Sequence, residues 1–456
     1  MMNSYINRPD LYVKHELQEN FKNENFRNVR ISNIIASNIT QSYLSFRKKK
    51  FKIAKELSNI FYLIFIRDLY VFVKFYFKIK KEIVSKDQII IEAISDESRL
   101  RGFWLAIAKK YDRCGCLIIT EDFDVYYRYN TDFNVIIPYK FDCLLWIKSR
   151  FYILLRLFKF YRLAKVQDNY THFFALRVRI VADIIYQINN VVKADKIVND
   201  YKPSSFLTIW DLYPIGAVFC NVFSSYKLPS ITFIHGAVGI KSLIEFIPLN
   251  ADYIISWGKY NTNLLISNGI NSKNILESGC PRMTEYIPSM KVEVNKDKSS
   301  FNIELERKVI CFLNTAIIRD RWMKDVSEIF NLLSLKYDFF CRPHPSNSRD
   351  LISLTLPPSL KVVWSDQLSL EKSIEMSDYL ITDSSSAGFD ALFMKKLVFV
   401  LDTNTVDVYQ DVMYDACKEG AAVFCKSIDE LLVNINRYTN DKEYKLTIKE
   451  NQTRFV

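Results

Sequence analysis

Arg342-Pro343-His344-Pro345 follows one apolar run directly, and Thr382-Asp383-Ser384-Ser385-Ser386-Ala387-Gly388 follows another about forty residues on. Each stretch reads as a strand that runs into a loop and then a helix. In an open parallel sheet such loops meet at the carboxyl edge, where ligands bind. Prolines on both sides of His344 restrict φ twice and hold the imidazole in place before any ligand arrives. Hydroxyls and backbone N–H groups at a helix start favour an anion, and an imidazolium facing them adds charge and a donor. Singly, the histidine reads as a rigid turn and the serine run as a helix cap. On successive units they read together as a phosphate site.

The same rhythm extends outward. Val309 to Leu313, Asp325 to Leu335, Tyr337 to Cys341, Leu360 to Trp364, Tyr379 to Thr382 and Leu397 to Leu401 alternate strand-like and helix-like runs, the order of a Rossmann-like sheet. A second such set lies upstream. Gln88 to Ala93, Phe103 to Tyr111 and Cys116 to Thr120 form one unit, and Ser205 to Trp210, Ile215 to Ser224 and Ser230 to Ile234 form another. A polar, charged stretch from Tyr286 to Glu306 reads as the linker between the two sets. At 456 residues the chain exceeds what one core supports, so two domains are expected.

Only ten glycines occur, and six of them (Gly216, Gly236, Gly239, Gly258, Gly269 and Gly279) fall between residues 216 and 279. Glycine that persists in so poor a chain marks backbone that requires it, so this stretch is expected to hold functional loops. The nine cysteines show no framework spacing; Cys220, Cys311 and Cys341 lie in apolar runs and read as buried thiols of a reducing compartment. Cys114-Gly115-Cys116 has no partner pair, which disfavours a metal reading.

Charge is unevenly spread. Residues 1–86 hold 17 Lys and Arg against 7 Asp and Glu, nearly all of the net +11. No zinc-finger or RNA-recognition spacing accompanies them, so nucleic acid is not the expected partner. The first forty residues are too polar for a signal peptide. The apolar Ile60 to Ile79 run is broken by Arg67, Asp68, Lys74 and Lys78, which argues against a bilayer span. Leu144 to Lys165 carries six basic residues, no acids and many large apolar side chains, with Lys148, Arg156, Lys159 and Arg162 on about a third of the helical circle. It reads either as a surface helix or as a contact with an anionic membrane.

Three further stretches complete a pattern: His235-Gly236, Ala251-Asp252 with Trp257-Gly258, and Gly279-Cys280-Pro281-Arg282. Taken in order with Arg342-Pro343-His344-Pro345 and Asp383-Ser384-Ser385-Ser386 followed by Gly388-Phe389-Asp390-Ala391-Leu392, the chain resembles the GT-B-type transferases of bacterial surface polysaccharides. That group includes the capsule polymerases and polysialyltransferases and the CDP-glycerol glycerophosphotransferases. The likeness runs from about residue 88 to 435 and resides in the order of short motifs.

The resemblance implies an α/β fold of GT-B type: two Rossmann-like parallel-sheet domains with an interdomain cleft and an appended, mainly helical N-terminal region. The expected boundaries are 1–86 for the extension, 87–287 for the acceptor domain, 305–435 for the donor domain and 436–456 for a C-terminal tail or helix. It makes His344, Ser384, Ser385 and Ser386 ligands of the donor phosphate, Asp390 a ligand of the ribose, and Arg342 and Arg282 neutralisers of donor charge. His235 joins His344 as a catalytic candidate. For the catalytic base the group carries an acidic pair before a glycine; here Asp96-Glu97 and Glu121-Asp122 both lack that glycine. Asp96 and Glu97 have the better position, on the first strand-to-helix loop, and either pair also reads as a solvated loop or cap. Asp122-Phe123-Asp124 matches a metal-binding Asp-x-Asp, but the two-sheet organisation argues for chemistry without a metal or other cofactor.

The expected activity is sugar transfer from a CMP-, CDP- or UDP-linked donor to a glycan or lipid-linked acceptor in capsule or lipopolysaccharide synthesis, at the cytoplasmic face of the membrane. Transfer of glycerol or ribitol phosphate from a CDP donor, epimerisation of a nucleotide sugar, and an inactive glycan-binding subunit are the alternatives.

Overall fold

The computed structural model describes residues 19–21, 23, 25–27, 29–30, 88–94, 98–111, 115–120, 123–136, 143–164, 173–209, 211, 214–234, 249–279, 291–301, 303–304, 306–314, 320–345, 347–383, 385–402 and 411–455. Asp96, Glu97, Glu121, Asp122, His235, Arg282, Ser384 and the Ile60 to Ile79 run lie outside them. The chain forms two units.

The first unit opens with an antiparallel pair, β1 (Asn25–Phe26) and β2 (Val29–Arg30). Within the segment expected to be mainly helical, residues 25–27 and 29–30 form a hairpin, and Phe21, Phe26 and Val29 are buried in the unit's main core. Seven parallel strands follow: β3 (Ile89–Glu92), β4 (Cys116–Ile119), β5 (Asn134–Ile136), β6 (Ser205–Thr208), β7 (Ser230–Phe233), β8 (Tyr253–Ser256) and β9 (Ile275–Glu277). Their spatial order is β5-β4-β3-β6-β7-β8-β9. The unit's helices are α1 (Ser98–Ala108), α2 (Phe123–Tyr129), α3 (Cys143–Leu163), α4 (Phe173–Tyr201) and α5 (Pro214–Ser225).

Alternate residues of a strand feed two different cores. Ile90, Leu117, Ile119 and Phe206 join α3, α4 and α5, whereas Ile91, Cys116 and Ile118 join Trp104 of α1 and Val125 and Tyr126 of α2. Helices on both faces leave no solvent side to the sheet, which is why the strands read as continuous apolar runs.

The second unit holds α6 (Lys259–Ser267), α7 (Lys291–Ser300) and six parallel strands: β10 (Val309–Leu313), β11 (Asp338–Arg342), β12 (Lys361–Val362), β13 (Tyr379–Thr382), β14 (Leu397–Leu401) and β15 (Val423–Cys425). They are ordered β12-β11-β10-β13-β14-β15. Its other helices are α8 (Asp320–Leu333), α9 (Arg349–Thr355), α10 (Leu370–Met376), α11 (Ala387–Phe393), α12 (Asp411–Lys418), α13 (Ile428–Asn440) and α14 (Lys442–Phe455). Ile310 and Phe312 of β10 face Trp322, Val326 and Ile329 of α8, while Val309, Cys311 and Leu313 face the side of α10, α11 and α12.

Two stretches expected outside the domains are built into this unit. Helix α7, in the stretch that reads as a linker, is tied to α10 by a 3.2 Å ion pair between Asp297 and Lys372. Helix α14, in the expected tail, buries Ile448 and sets the Phe455 ring 5.8 Å from that of Phe389 on α11. Cys220, Cys311 and Cys341 are buried free thiols, and burial pushes the Cys311 thiol up to about 12.

Candidate functional site

Relabelled from its first strand, each sheet has the order 3-2-1-4-5-6, with a seventh strand at the edge of the first. In both, the order reverses between the first and fourth strands. The loops leaving those two strands in opposite directions open a crevice at the carboxyl edge. In the second unit the crevice lies beyond β10 and β13.

His344 follows β11 and the serine loop follows β13, on either side of β10. Strands two places apart are separated by about 10 Å. Three side chains fix the exits of these strands. Asn314, directly after β10, donates its backbone N–H to the carbonyl of Arg342 at 3.1 Å, and its amide oxygen accepts from the Trp322 indole at 2.8 Å. The Thr382 hydroxyl donates to the Leu313 carbonyl at 3.1 Å and accepts from the Ser385 N–H at 2.9 Å. Asn347 closes the histidine loop: its side-chain oxygen accepts from the His344 N–H at 2.8 Å, and its own N–H donates to the His344 carbonyl at 2.9 Å. The prolines are therefore half of what holds His344, and the asparagine three residues on supplies the rest. The His344 side chain is half-buried and Pro345 is exposed, so the imidazole stands at the surface of the unit.

Ser385 is buried and Ser386 half-buried. The Ser386 hydroxyl makes no capping bond to α11, and the Ser385 hydroxyl accepts from the Ala387 N–H only at 3.4 Å. Neither of these two serines makes the short contact of a well-formed cap. Asp383 and Asp390 are both buried, the second in the first turn of α11. Gly388 packs closely against Met413: a Cβ there would lie 2.7 Å from its sulfur, so the methionine side chain would have to shift.

Arg342 stands apart from the expected donor-binding set. It is buried, and its guanidinium donates to the Leu368 carbonyl at 2.7 Å and the Ser373 hydroxyl at 2.8 Å. Burial lowers its proton affinity below the usual arginine value. The side chain fastens the approach to α10 to the end of β11.

At the reversal point of the first unit, Glu92 ends β3 and is buried; its carboxylate accepts from the Thr208 hydroxyl at the end of β6 at 2.5 Å. Asp211, two residues beyond Ile209, is fully buried and accepts from the N–H groups of Asn250 at 2.7 Å and Ala251 at 3.1 Å. Asp252 of the Ala-Asp motif accepts from the N–H and hydroxyl of Ser230 at 2.8 and 2.9 Å, joining the starts of β7 and β8. Gly279 has φ +107° and donates to the Ser256 carbonyl at 3.1 Å, so this motif glycine answers a backbone demand. Trp257 belongs to the second unit, its ring 6.0 Å from Phe393 of α11. Sequence reasoning named neither Glu92, Asp211 nor Asn347. A carboxylate closing a buried strand is the signal for the first, and His-Pro-x-Asn for the last.

Two Rossmann-like parallel sheets of this order define a GT-B-like α/β protein. Solved structures superpose accordingly. The UDP co-structure of MnaA from S. aureus aligns with TM-score 0.51 at 11% identity, over 80% of this chain and 91% of that one. The UDP-GlcNAc 2-epimerase of Neisseria meningitidis, bound to UDP-GlcNAc, aligns with TM-score 0.51 at 13% identity, over 79% and 94%. At such identities the likeness is one of fold.

Residues 238–456 match the family described as CDP-glycerol:poly(glycerophosphate) glycerophosphotransferase. Over 209 residues, 42% of its length, the chain is 27% identical to the teichoic acid poly(glycerol phosphate) polymerase of Bacillus spizizenii. The match spans 52% of that protein, so the chain covers about half the length of this curated relative. The part of the chain with the histidine and serine loops thus carries the sequence pattern of the CDP-glycerol glycerophosphotransferase-like superfamily.

Proposed function

We propose that the protein transfers a polyol phosphate, glycerol phosphate first among them, from a CDP-linked donor to the hydroxyl end of a cell-surface polymer or its lipid-linked primer. The family match and the polymerase relative favour this chemistry over the sugar transfer expected from the motifs alone. The observation that carries the reading is the placement of His344 and the Ser385-Ser386 loop on the two sides of β10, at the reversal of strand order.

In such a transfer the acceptor oxygen attacks the phosphorus that bears the polyol. The bond from that phosphorus to the bridging oxygen breaks, CMP leaves with the bridge electrons, and the acceptor proton passes to a base. Protonated His344 neutralises the charge that builds on the departing phosphate, and the serine hydroxyls donate to its oxygens. Across a gap of about 10 Å, one phosphate is within reach of both loops. Asp390 takes the ribose hydroxyls, and Arg282 adds positive charge at the donor. Asp96, Glu97 and His235 are the candidates for the base.

The test is to incubate the protein with CDP-glycerol and a glycerol-phosphate primer, follow CMP release, and weigh the product. Mass increments of one glycerol phosphate with matching CMP are expected. Hexose increments from a UDP- or CMP-sugar, without CMP from CDP-glycerol, would return the assignment to sugar transfer.

A further inference from the structure

Helix α3 is apolar on two faces. Its inner face, through Ile153 and Phe160, is fully buried against the core it shares with α4, as is Ala164 just beyond its end. Its outer face carries Ile147, Phe151, Leu154, Leu155 and Phe158, all in solvent, with Phe151 64%, Leu155 69% and Phe158 74% exposed. At 3.6 residues per turn these five fall within about 100° of the helix circumference. Single exposed apolar side chains need no explanation, but a contiguous stripe of five marks a contact surface.

Charge identifies the occupant. Lys148 and Lys159 border the stripe on one side, Arg162 continues it at the C-terminal end, and all three are exposed. Arg156, on the flank toward the buried face, stacks over the Tyr152 ring at 5.0 Å. The helix sequence CLLWIKSRFYILLRLFKFYRL contains no acidic residue. A second copy docking on the same face would bring like charges together. An anionic lipid surface meets both features, taking the rings and leucines at the headgroup boundary and the basic groups at the phosphates. Among the described residues no helix is long and apolar enough to cross a membrane.

We propose that α3 docks the protein in the plane of an anionic membrane through Ile147, Phe151, Leu154, Leu155 and Phe158, with Lys148, Lys159 and Arg162 holding lipid phosphates. This stands independently of the donor chemistry and uses no residue of the transfer site.

Flotation tests it, with vesicles of phosphatidylglycerol and phosphatidylcholine in equal parts beside vesicles of phosphatidylcholine alone. The protein is expected to float with the mixed vesicles only, and less so as salt shortens the screening length to about 3 Å at 1 M. Lys148→Gln/Lys159→Gln/Arg162→Gln should weaken binding about fivefold per charge at low salt. Phe151→Ser/Leu155→Ser/Phe158→Ser, with unchanged circular dichroism, should abolish it. Should that triple variant fail to fold, Phe158→Cys carrying an environment-sensitive fluorophore reads the same contact, with a blue shift on mixed vesicles expected. Equal binding to both vesicle types, no shift from the label, or a solution dimer that the apolar substitutions split into monomers would overturn the proposal.

Discussion

At the reversal of strand order in the second unit, the strand exits are clasped by Asn314, Thr382 and Asn347, none of them ionisable. At the corresponding point of the first unit, carboxylates do the clasping: Glu92 holds Thr208, and Asp211 holds the backbone before β8. In the first case the side chains of the candidate site, His344 and the serines, ride on a frame they do not build. In the second the most conspicuous ionisable groups are the frame. Substitution should therefore strike turnover and spare folding at one edge, and strike folding at the other.

The largest effect is expected for His344→Ala. An electrostatic contact made only to the departing phosphate is worth about a hundredfold to a thousandfold in rate. CMP release should fall by that much with the unfolding midpoint unchanged, because the side chain is half-buried and its loop is held by backbone bonds to Asn347. A melting transition lowered along with the rate would erase the distinction between the two edges.

Arg342→Ala is expected to act in the opposite sense although it lies two residues away. The guanidinium reaches Leu368 and Ser373 and is buried, so its removal leaves a buried carbonyl and hydroxyl without that donor. A loss of about 2–3 kcal/mol in stability follows, with little change in donor affinity once the variant is folded. Denaturant unfolding and nucleotide titration separate the two. A tenfold fall in affinity at full stability would put Arg342 back among the donor ligands.

Asp211→Ala carries the comparison to the first unit. Its carboxylate satisfies the N–H groups of Asn250 and Ala251 in a fully buried setting. Leaving these donors unpaired costs about 1–3 kcal/mol. Nucleotide binding by the folded variant should match the parent. Full stability would mean that neighbouring groups repair the bonds, and the carboxylate frame would lose its meaning.

How much could be read in advance follows the same divide. Strands β10, β13 and β14 fall where their apolar runs lie, because burial on both faces leaves an uninterrupted hydrophobic signal. Helix α4, 29 residues long, was invisible by that measure. It buries Asp183, Gln187, Asn189, Asn190 and Asp195, which break any apolar stripe. Two of them take partners from distant segments, Arg27 and Tyr226 reaching Asp195 and Arg150 reaching Asn189, whereas Asp183 pairs with Arg179 on the helix itself. Short strands such as β5 and β15 offer three residues each, too few for a period. The histidine and serine loops were legible because a Pro-His-Pro and a run of three serines each follow closely on an uninterrupted apolar run. Asp211 was not, since its clasp is defined by segments it meets only in space, whereas the Asn347 clasp is local and its His-Pro-x-Asn signal went unread.

The smallest effect on stability is expected at Ser385. Its hydroxyl accepts from the Ala387 N–H at 3.4 Å, long for a cap, so Ser385→Ala should cost less than the ~1 kcal/mol of a well-formed one. Its backbone N–H still donates to Thr382, and the loop keeps its path. If the hydroxyl instead serves the donor phosphate, loss of one hydrogen bond to a charged group weakens nucleotide binding by about 1.5–3 kcal/mol, roughly tenfold to a hundredfold. Calorimetric titration with CDP or CMP beside a thermal melt gives both numbers on one preparation. Affinity falling more than stability supports a ligand that rides on the frame. The reverse order would make the serine another clasp, and the two edges would then be alike.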